Sequence, residues 1–259
     1  MDMKKFLVGV LFVGIALFVG KFALQAPPEH QKNKSVNIQI LQPESVPDSA
    51  DEAVQEGENP SYNQEEKQTL NMIHMAAEEG VAEAQFNLGL MYSQGEGVKI
   101  DENKAFNWII LAANQGHERA QAVLGSMYAS GQGANKNYAR AFKWYKKSAD
   151  QGFAHAQFNV ALMYIDGQGT HQDYAQAMAY LRKAAHQGLD RAQAFLGNIY
   201  AEGDIHEQDN AKAYFWFNIA ASSGLKGAKE ARDEAAEQLS RKVLLAEQKR
   251  VREWTPQED

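Results

Sequence analysis

A block of 36 residues recurs four times in this chain without a slip in register. Ala84 recurs as Ala120, Ala156 and Ala192, and Gln85 as Gln121, Gln157 and Gln193. Tyr92 recurs as Tyr128, Tyr164 and Tyr200, and Gly95 as Gly131, Gly167 and Gly203. Trp108 recurs as Trp144, Tyr180 and Trp216, and Gly116 as Gly152, Gly188 and Gly224. A unit this short cannot bury a hydrophobic face alone, so units must stack and share one continuous core. The expected fold is an all-α solenoid, an architecture that presents long binding surfaces rather than a catalyst.

Each unit reads as two helices. On a wheel of 100° per residue, Ala84, Gln85, Leu88, Gly89, Met91 and Tyr92 share one arc of the first helix, helix A. Gly89 recurs as Gly125 and Gly197, with Ala161 in the third copy. Glycine inside a helix costs about 1 kcal/mol against alanine. Its recurrence therefore predicts a neighbouring helix too close for a larger side chain. Helix B begins after Asp101, Asn137, Asp173 and Asp209, residue types that cap free amides at a helix start. It ends at Gly116 and its copies, which suit the left-handed position after a helix.

The array extends beyond four full units. Thr69, Met72, Ala76, Ala77 and Gly80 match helix B of a truncated copy, giving a half repeat at 67–81. Full repeats follow at 82–117, 118–153, 154–189 and 190–225. Residues 226–259 read as capping helices. Ala228 opens a fifth helix A, but Arg232 and Asp233 replace its Leu-Gly pair. Ser240 is the expected cap of a last helix whose apolar contacts are Val243, Leu244, Val251 and Trp254, with Leu239 just before it.

The pattern A-x-A-x-x-x-L-G-x-x-Y-x-x-G-x-G, followed by Asp, Lys-Ala, Trp, Ala-Ala and Gly, resembles the Sel-one-like repeat, a relative of the tetratricopeptide repeat. The resemblance runs from about Thr69 to Trp254. It implies a right-handed α-solenoid of helix-turn-helix repeats that binds proteins or peptides, often in the bacterial envelope. The sequence departs from the pattern at Ala161, at Ile205 in place of the second loop glycine, and at Tyr180 in place of tryptophan. The cysteine pairs of the disulfide-rich branch are absent, since the chain has no cysteine.

Two segments precede the array. In residues 1–26, Lys4 and Lys5 lead an apolar run from Phe6 to Gly20, and Phe22 to Leu24 resume it after Lys21. About 19 residues suffice to span a bilayer if Lys21 reaches the interface. The expectation is an uncleaved transmembrane signal anchor, with the basic end in the cytoplasm and the repeats outside it, in the periplasm of a bacterium. The alternative is a signal peptide removed after Ala26, a cut that Pro27 disfavours. Residues 27–66 hold five of the six prolines and many carboxylates, including Glu44, Asp48, Asp51, Glu52, Glu56 and Glu58. Such a composition predicts a disordered acidic tether. The net charge of −7 argues against nucleic acid as a partner.

Candidate chemistry is sparse. Gly95-Glu96-Gly97 could cradle a phosphate, but the motif recurs as a joint between helices and Asp101 already supplies an anion there. His171 and His206 fall in loops of adjacent units without metal-ligand spacing. Ser223 and Lys226 match the Ser-x-x-Lys of β-lactam-reactive enzymes, but the S-D-N and K-T-G companions are missing. An envelope enzyme acting on peptidoglycan or a β-lactam-like substrate is thus the rival reading, and no catalytic residue, cofactor or metal is expected.

Two surfaces remain as candidates for a partner. The first is the arc of helix A that changes from copy to copy, expected to line the concave side. It holds Glu83, Asn87, Leu90 and Gln94, then Arg119, Val123, Ser126 and Ser130. It continues with His155, Asn159, Leu162 and Asp166, then Arg191, Phe195, Asn198 and Glu202. Apolar anchors beside amides and guanidiniums suit an extended peptide or a partner helix. The second is a basic patch of Lys136, Arg140, Lys143, Lys146, Lys147, Arg182 and Lys183, read as either a docking site for an anion or a solvated face.

Overall fold

The structure, a computed structural model, describes residues 64–256. They form eleven α-helices and no strand among the described residues. Helix α1 (Gln64–Glu78) is the half repeat. The four full repeats are α2 (Ala82–Gln94) with α3 (Glu102–Asn114), α4 (Glu118–Ser130) with α5 (Tyr138–Asp150), α6 (Ala154–Asp166) with α7 (Tyr174–His186), and α8 (Asp190–Glu202) with α9 (Asn210–Ser222). The array closes with α10 (Ala228–Glu237) and α11 (Arg241–Glu253). From α1 to α10 successive helices pack on one another, and α11 folds back onto α9. The predicted anchor (1–26) and the predicted acidic tether (27–66) up to residue 63 lie outside the described residues; the last three residues of the tether, 64–66, instead open α1. Among the described residues no helix is long and apolar enough to cross a membrane.

The punctuation that the sequence predicts is present. The side chains of Asp101, Asn137, Asp173 and Asp209 accept the backbone N–H three residues on, at 2.9–3.0 Å. Each of these caps satisfies an amide that the helix itself leaves free. Helix B then ends with a left-handed glycine: at α7 the N–H of Gly188 (φ +91°) donates to Ala185 and that of Leu189 to Ala184. This is a Schellman ending, and Leu189 is at once the N-cap of the next helix A. Ser240 caps α11 through Val243 N–H at 3.4 Å.

The mid-helix glycines mark the tightest contacts. A Cβ on Gly125 would sit 2.8 Å from the Tyr145 ring, and one on Gly197 2.6 Å from Phe217. On Gly89 it would meet Ile109 at 2.7 Å. In the third repeat, where Ala161 stands, the facing residue is the buried Leu181. The burial around Tyr145 pushes its phenol up to about 12. Leu88, Leu124, Val160 and Leu196 are fully buried at one register position, and burial of such a side chain contributes about 1.5–3 kcal/mol each.

A glutamine ladder ties the repeats together. The amides of Gln85, Gln121, Gln157 and Gln193 donate to Ala77, Ala113, Ala149 and Ala185 of the preceding helix B. In three repeats the same glutamine's oxygen also accepts from its own helix B, from Gln115, Gln151 and Gln187 at 2.7–3.2 Å. Helix A is thereby fastened to both flanking B helices. In the fourth repeat Ser223 occupies the donor's position, and the buried Gln193 Oε1 has no partner among the described residues.

Candidate partner-binding face

The changing arc of helix A is not uniformly open. Asn87 and Val123 are each only 8% exposed, which corrects the expectation that they line a groove. Val123 belongs to the core cluster, and Asn87 sits in a network that closes the arc at its first end. There His117 Nδ1 accepts the Ala120 N–H at 3.1 Å, so Nε2 carries the proton and donates to Glu83 Oε2 at 2.8 Å. The Asn87 amide donates to the other Glu83 oxygen. The Phe86 ring stacks on His117 at 4.7 Å, and the Arg119 guanidinium lies 4.9 Å over that ring. The hydrogen bond from His117 lowers the Glu83 pKa. Leu90 is half-buried against the core, and Ser126 meets the Tyr145 hydroxyl.

The arc opens in repeats three and four. His155, Asp166, Arg191, Asn198 and Glu202 are exposed, and Asn159, Leu162 and Phe195 are half-buried. Phe158 and Phe195 meet edge to face across α6 and α8 at 6.0 Å. His155 is exposed on one side and stacks on Phe153 at 5.3 Å on the other. Lost solvent on that side, and then the Arg191 charge, lower its pKa. The site is therefore an aromatic floor with a rim of amides, an imidazole and a guanidinium. Phe158 is not among the residues that the wheel selects. Its copies are Phe86, Ala122 and Ala194, so the signal is an aromatic that returns only in alternate repeats.

The other candidates fall apart or into the frame. His171 and His206 do not approach each other; each packs edge-on against its own repeat's tyrosine, Tyr164 and Tyr200. No cluster of three metal-binding side chains occurs among the described residues. Ser223 caps the end of α9, and Ser223 and Lys226 are both exposed in the turn that follows. The second loop glycines are joints: a Cβ on Gly133 would fall on the carbonyl oxygen of Glu102, and one on Gly169 on that of Tyr138.

Six of the seven basic residues meet an aromatic side chain, Lys146 lying over Tyr180. Lys147 lies 4.2 Å over Trp144, Lys183 6.0 Å over Tyr180, and Lys136 4.8 Å over Tyr138. Arg140 lies over Tyr128, and Arg182 donates to the Tyr200 hydroxyl at 3.0 Å. Lys146 is also paired, because Asp150 grips it at 2.8 Å and holds its pKa up.

Stacked helix pairs with one register, left-handed glycine joints and a shared ladder define an α-helical repeat protein whose residues of variable identity lie on the helix faces. The Sel1 repeat matches four times, at residues 82–117, 118–153, 154–189 and 190–225, and the chain belongs to the Sel1 repeat family. Among the solved structures similar to it are the following two. One is a protective antigen present in uropathogenic Escherichia coli strains that displays an SLR fold, at 32% identity and a TM-score of 0.67. The likeness covers 76% of this chain but only 43% of the antigen. The other is a Sel1 repeat protein from Oxalobacter formigenes, at 34% identity and a TM-score of 0.62, covering 72% of this chain and 78% of that one. No curated protein matches the chain.

Proposed function

We propose that this protein is a non-catalytic adaptor of the bacterial cell envelope. It captures a segment of a partner protein on the helix-A face of repeats three and four. Sel1 repeat proteins generally mediate protein–protein interaction, and this chain carries four such repeats. The observation that carries the reading is the half-exposed Phe158–Phe195 pair beside Leu162, rimmed by Asn159 and Arg191. An aromatic floor offers an apolar anchor at low entropic cost, and the rim fixes the backbone of the bound segment. The apolar run of residues 1–26 serves as a single-pass anchor in the inner membrane, with the repeats in the periplasm; cleavage after Ala26 would leave the same domain free there.

The test is a crosslinking pull-down from membranes, comparing the unaltered chain with Asn159→Ala/Arg191→Ala and with Phe195→Ser. Each variant should lose about tenfold or more in capture, the loss of a single good anchor or rim contact. The melting temperature of the rim variant should stay nearly unchanged. Capture that survives both variants removes the helix-A face as the site.

A further inference from the structure

One stripe of helix B changes character along the array. Its register position is Met75, Leu111, Lys147, Lys183 and Ile219 in successive copies. Met75 is 62% exposed and Leu111 45% exposed, with no covering element among the described residues. Lys143, Lys147 and Lys183 are exposed and form no ion pair among the described residues, whereas the neighbouring Lys146 is taken by Asp150. At the last copy the stripe is covered. Helix α11 packs on α9, Phe215 and Ile219 are 2% exposed, and Arg250 sits 4.0 Å over the Phe215 ring. Leu244, Val251 and Trp254 of the α11 segment supply the apolar contacts. The B helices α5 and α7 are close enough for one segment to touch both. The Tyr180 hydroxyl of α7 reaches Asp150 of α5 at 3.1 Å, and Lys146 of α5 lies over the Tyr180 ring.

We infer that the open part of this stripe is a second docking surface, for an acidic segment of a protein partner with an apolar end. The apolar end lies on Met75 and Leu111, and its carboxylates lie over Lys143, Lys147 and Lys183. Charge complementarity carries this assignment. In a chain of net charge −7, Lys143 and Lys147 lie one turn apart on α5, and Lys183 holds the Lys147 register position on α7, whose Tyr180 touches Asp150 of α5. Trp144 and Tyr180 hold two of them in place, which lowers the entropy lost when a carboxylate pairs with them. The apolar and basic parts follow each other in one line, so the ligand must carry both characters in the same order. A narrow segment fits better than an anionic membrane. A lipid plane meeting the stripe would also meet exposed carboxylates one turn along the same helices: Glu78, three residues after Met75 on α1, and Asp150, three after Lys147 on α5. This surface lies on helix B and is independent of the helix-A face proposed above.

The experiment uses the full chain and a fluorescein-labelled peptide with leucines at one end followed by alternating glutamate and serine. Binding is read by anisotropy. The reversal Lys143→Glu/Lys147→Glu/Lys183→Glu should weaken binding by about a hundredfold, and Leu111→Ser/Met75→Ser by about tenfold. Phe195→Ser should leave it unchanged, which separates this surface from the helix-A face. Equal binding of a peptide with its leucines replaced by serine would overturn the assignment, as would indifference to the triple reversal. Sedimentation with vesicles of phosphatidylglycerol and phosphatidylcholine, in the absence of peptide binding, would instead make the stripe a lipid surface and overturn the proposal.

Discussion

The helix-A arc of repeats one and two and that of repeats three and four occupy the same register positions, yet the first is closed at Asn87 and Val123 and the second has no buried position. In the first half Glu83, Asn87, Phe86, His117 and Arg119 satisfy one another. In the second half the half-exposed Phe158–Phe195 pair shares its arc with His155, Asn159 and Arg191. The difference traces to one position. His117 is the N-cap of α4, where the other repeats place Val81, Phe153 and Leu189. Of these four side chains, only the imidazole can cap its own helix and hold the previous repeat's carboxylate at the same time. Variation between copies therefore has two meanings, internal fastening and external recognition. Only the neighbour one repeat away distinguishes them.

If the two halves share a frame and differ only in their faces, damage to the frame should be equal in both. Gly125→Val and Gly197→Val each force a branched side chain into an aromatic ring already in contact. Each should destabilise the array by about 3 kcal/mol. Urea denaturation followed by circular dichroism reads this directly. A neutral outcome at either site would mean that the helices separate there, and the comparison of faces would lose its common scaffold.

The closed network makes a distinct prediction in acid. Its hydrogen bond to His117 lowers the Glu83 pKa below the ordinary 4.5. A carboxylate with a depressed folded pKa stabilises the fold above its unfolded value, and that contribution is lost as pH falls through the folded value. The part of the stability difference between the unaltered chain and Glu83→Gln that the carboxylate supplies should thus shrink as pH falls below about 4.5. At neutral pH it should amount to about 1–2 kcal/mol, the net worth of a charge-assisted hydrogen bond. A difference that does not change with pH would show that Glu83 acts there only by packing.

Much of the frame is legible in the amino-acid sequence. The 36-residue register, the N-caps, the left-handed glycines and the close approach at Gly125 each follow from a residue type repeated at a position that demands it. The site is legible only in part. A wheel ranks positions by direction on one helix and cannot see the next one, so it places Asn87 and Val123 on an open arc that a neighbouring repeat closes. Phe158 escapes it for the complementary reason, because it stands where another copy has alanine. Lys147 over Trp144 and Lys183 over Tyr180 are neighbours three apart on one helix and are legible there, whereas Arg140 over Tyr128 and Lys146 over Tyr180 join different helices, which no single-helix pattern contains.

The smallest predicted effect concerns the one junction where the ladder is incomplete. Gln85, Gln121 and Gln157 are each bonded on both sides, to an alanine carbonyl behind and to a glutamine amide ahead. Gln193 keeps the bond behind, to Ala185 at 3.1 Å, and loses the one ahead. The backbone at Ser223 (φ −82°, ψ 0°) matches that at Gln115, Gln151 and Gln187, so a glutamine there starts from the same direction. A buried acceptor without a partner costs about 1–3 kcal/mol. Ser223→Gln recovers part of that at the price of ordering one long side chain. The net gain should be about 1 kcal/mol, seen as a higher urea midpoint with an unchanged slope. The pairing can be checked independently: Gln193→Leu should abolish the gain of Ser223→Gln, because the new amide then has no oxygen to meet. A gain that persists in the Gln193→Leu background would show that the introduced glutamine acts on the turn itself, and that the fourth junction is complete without a ladder bond.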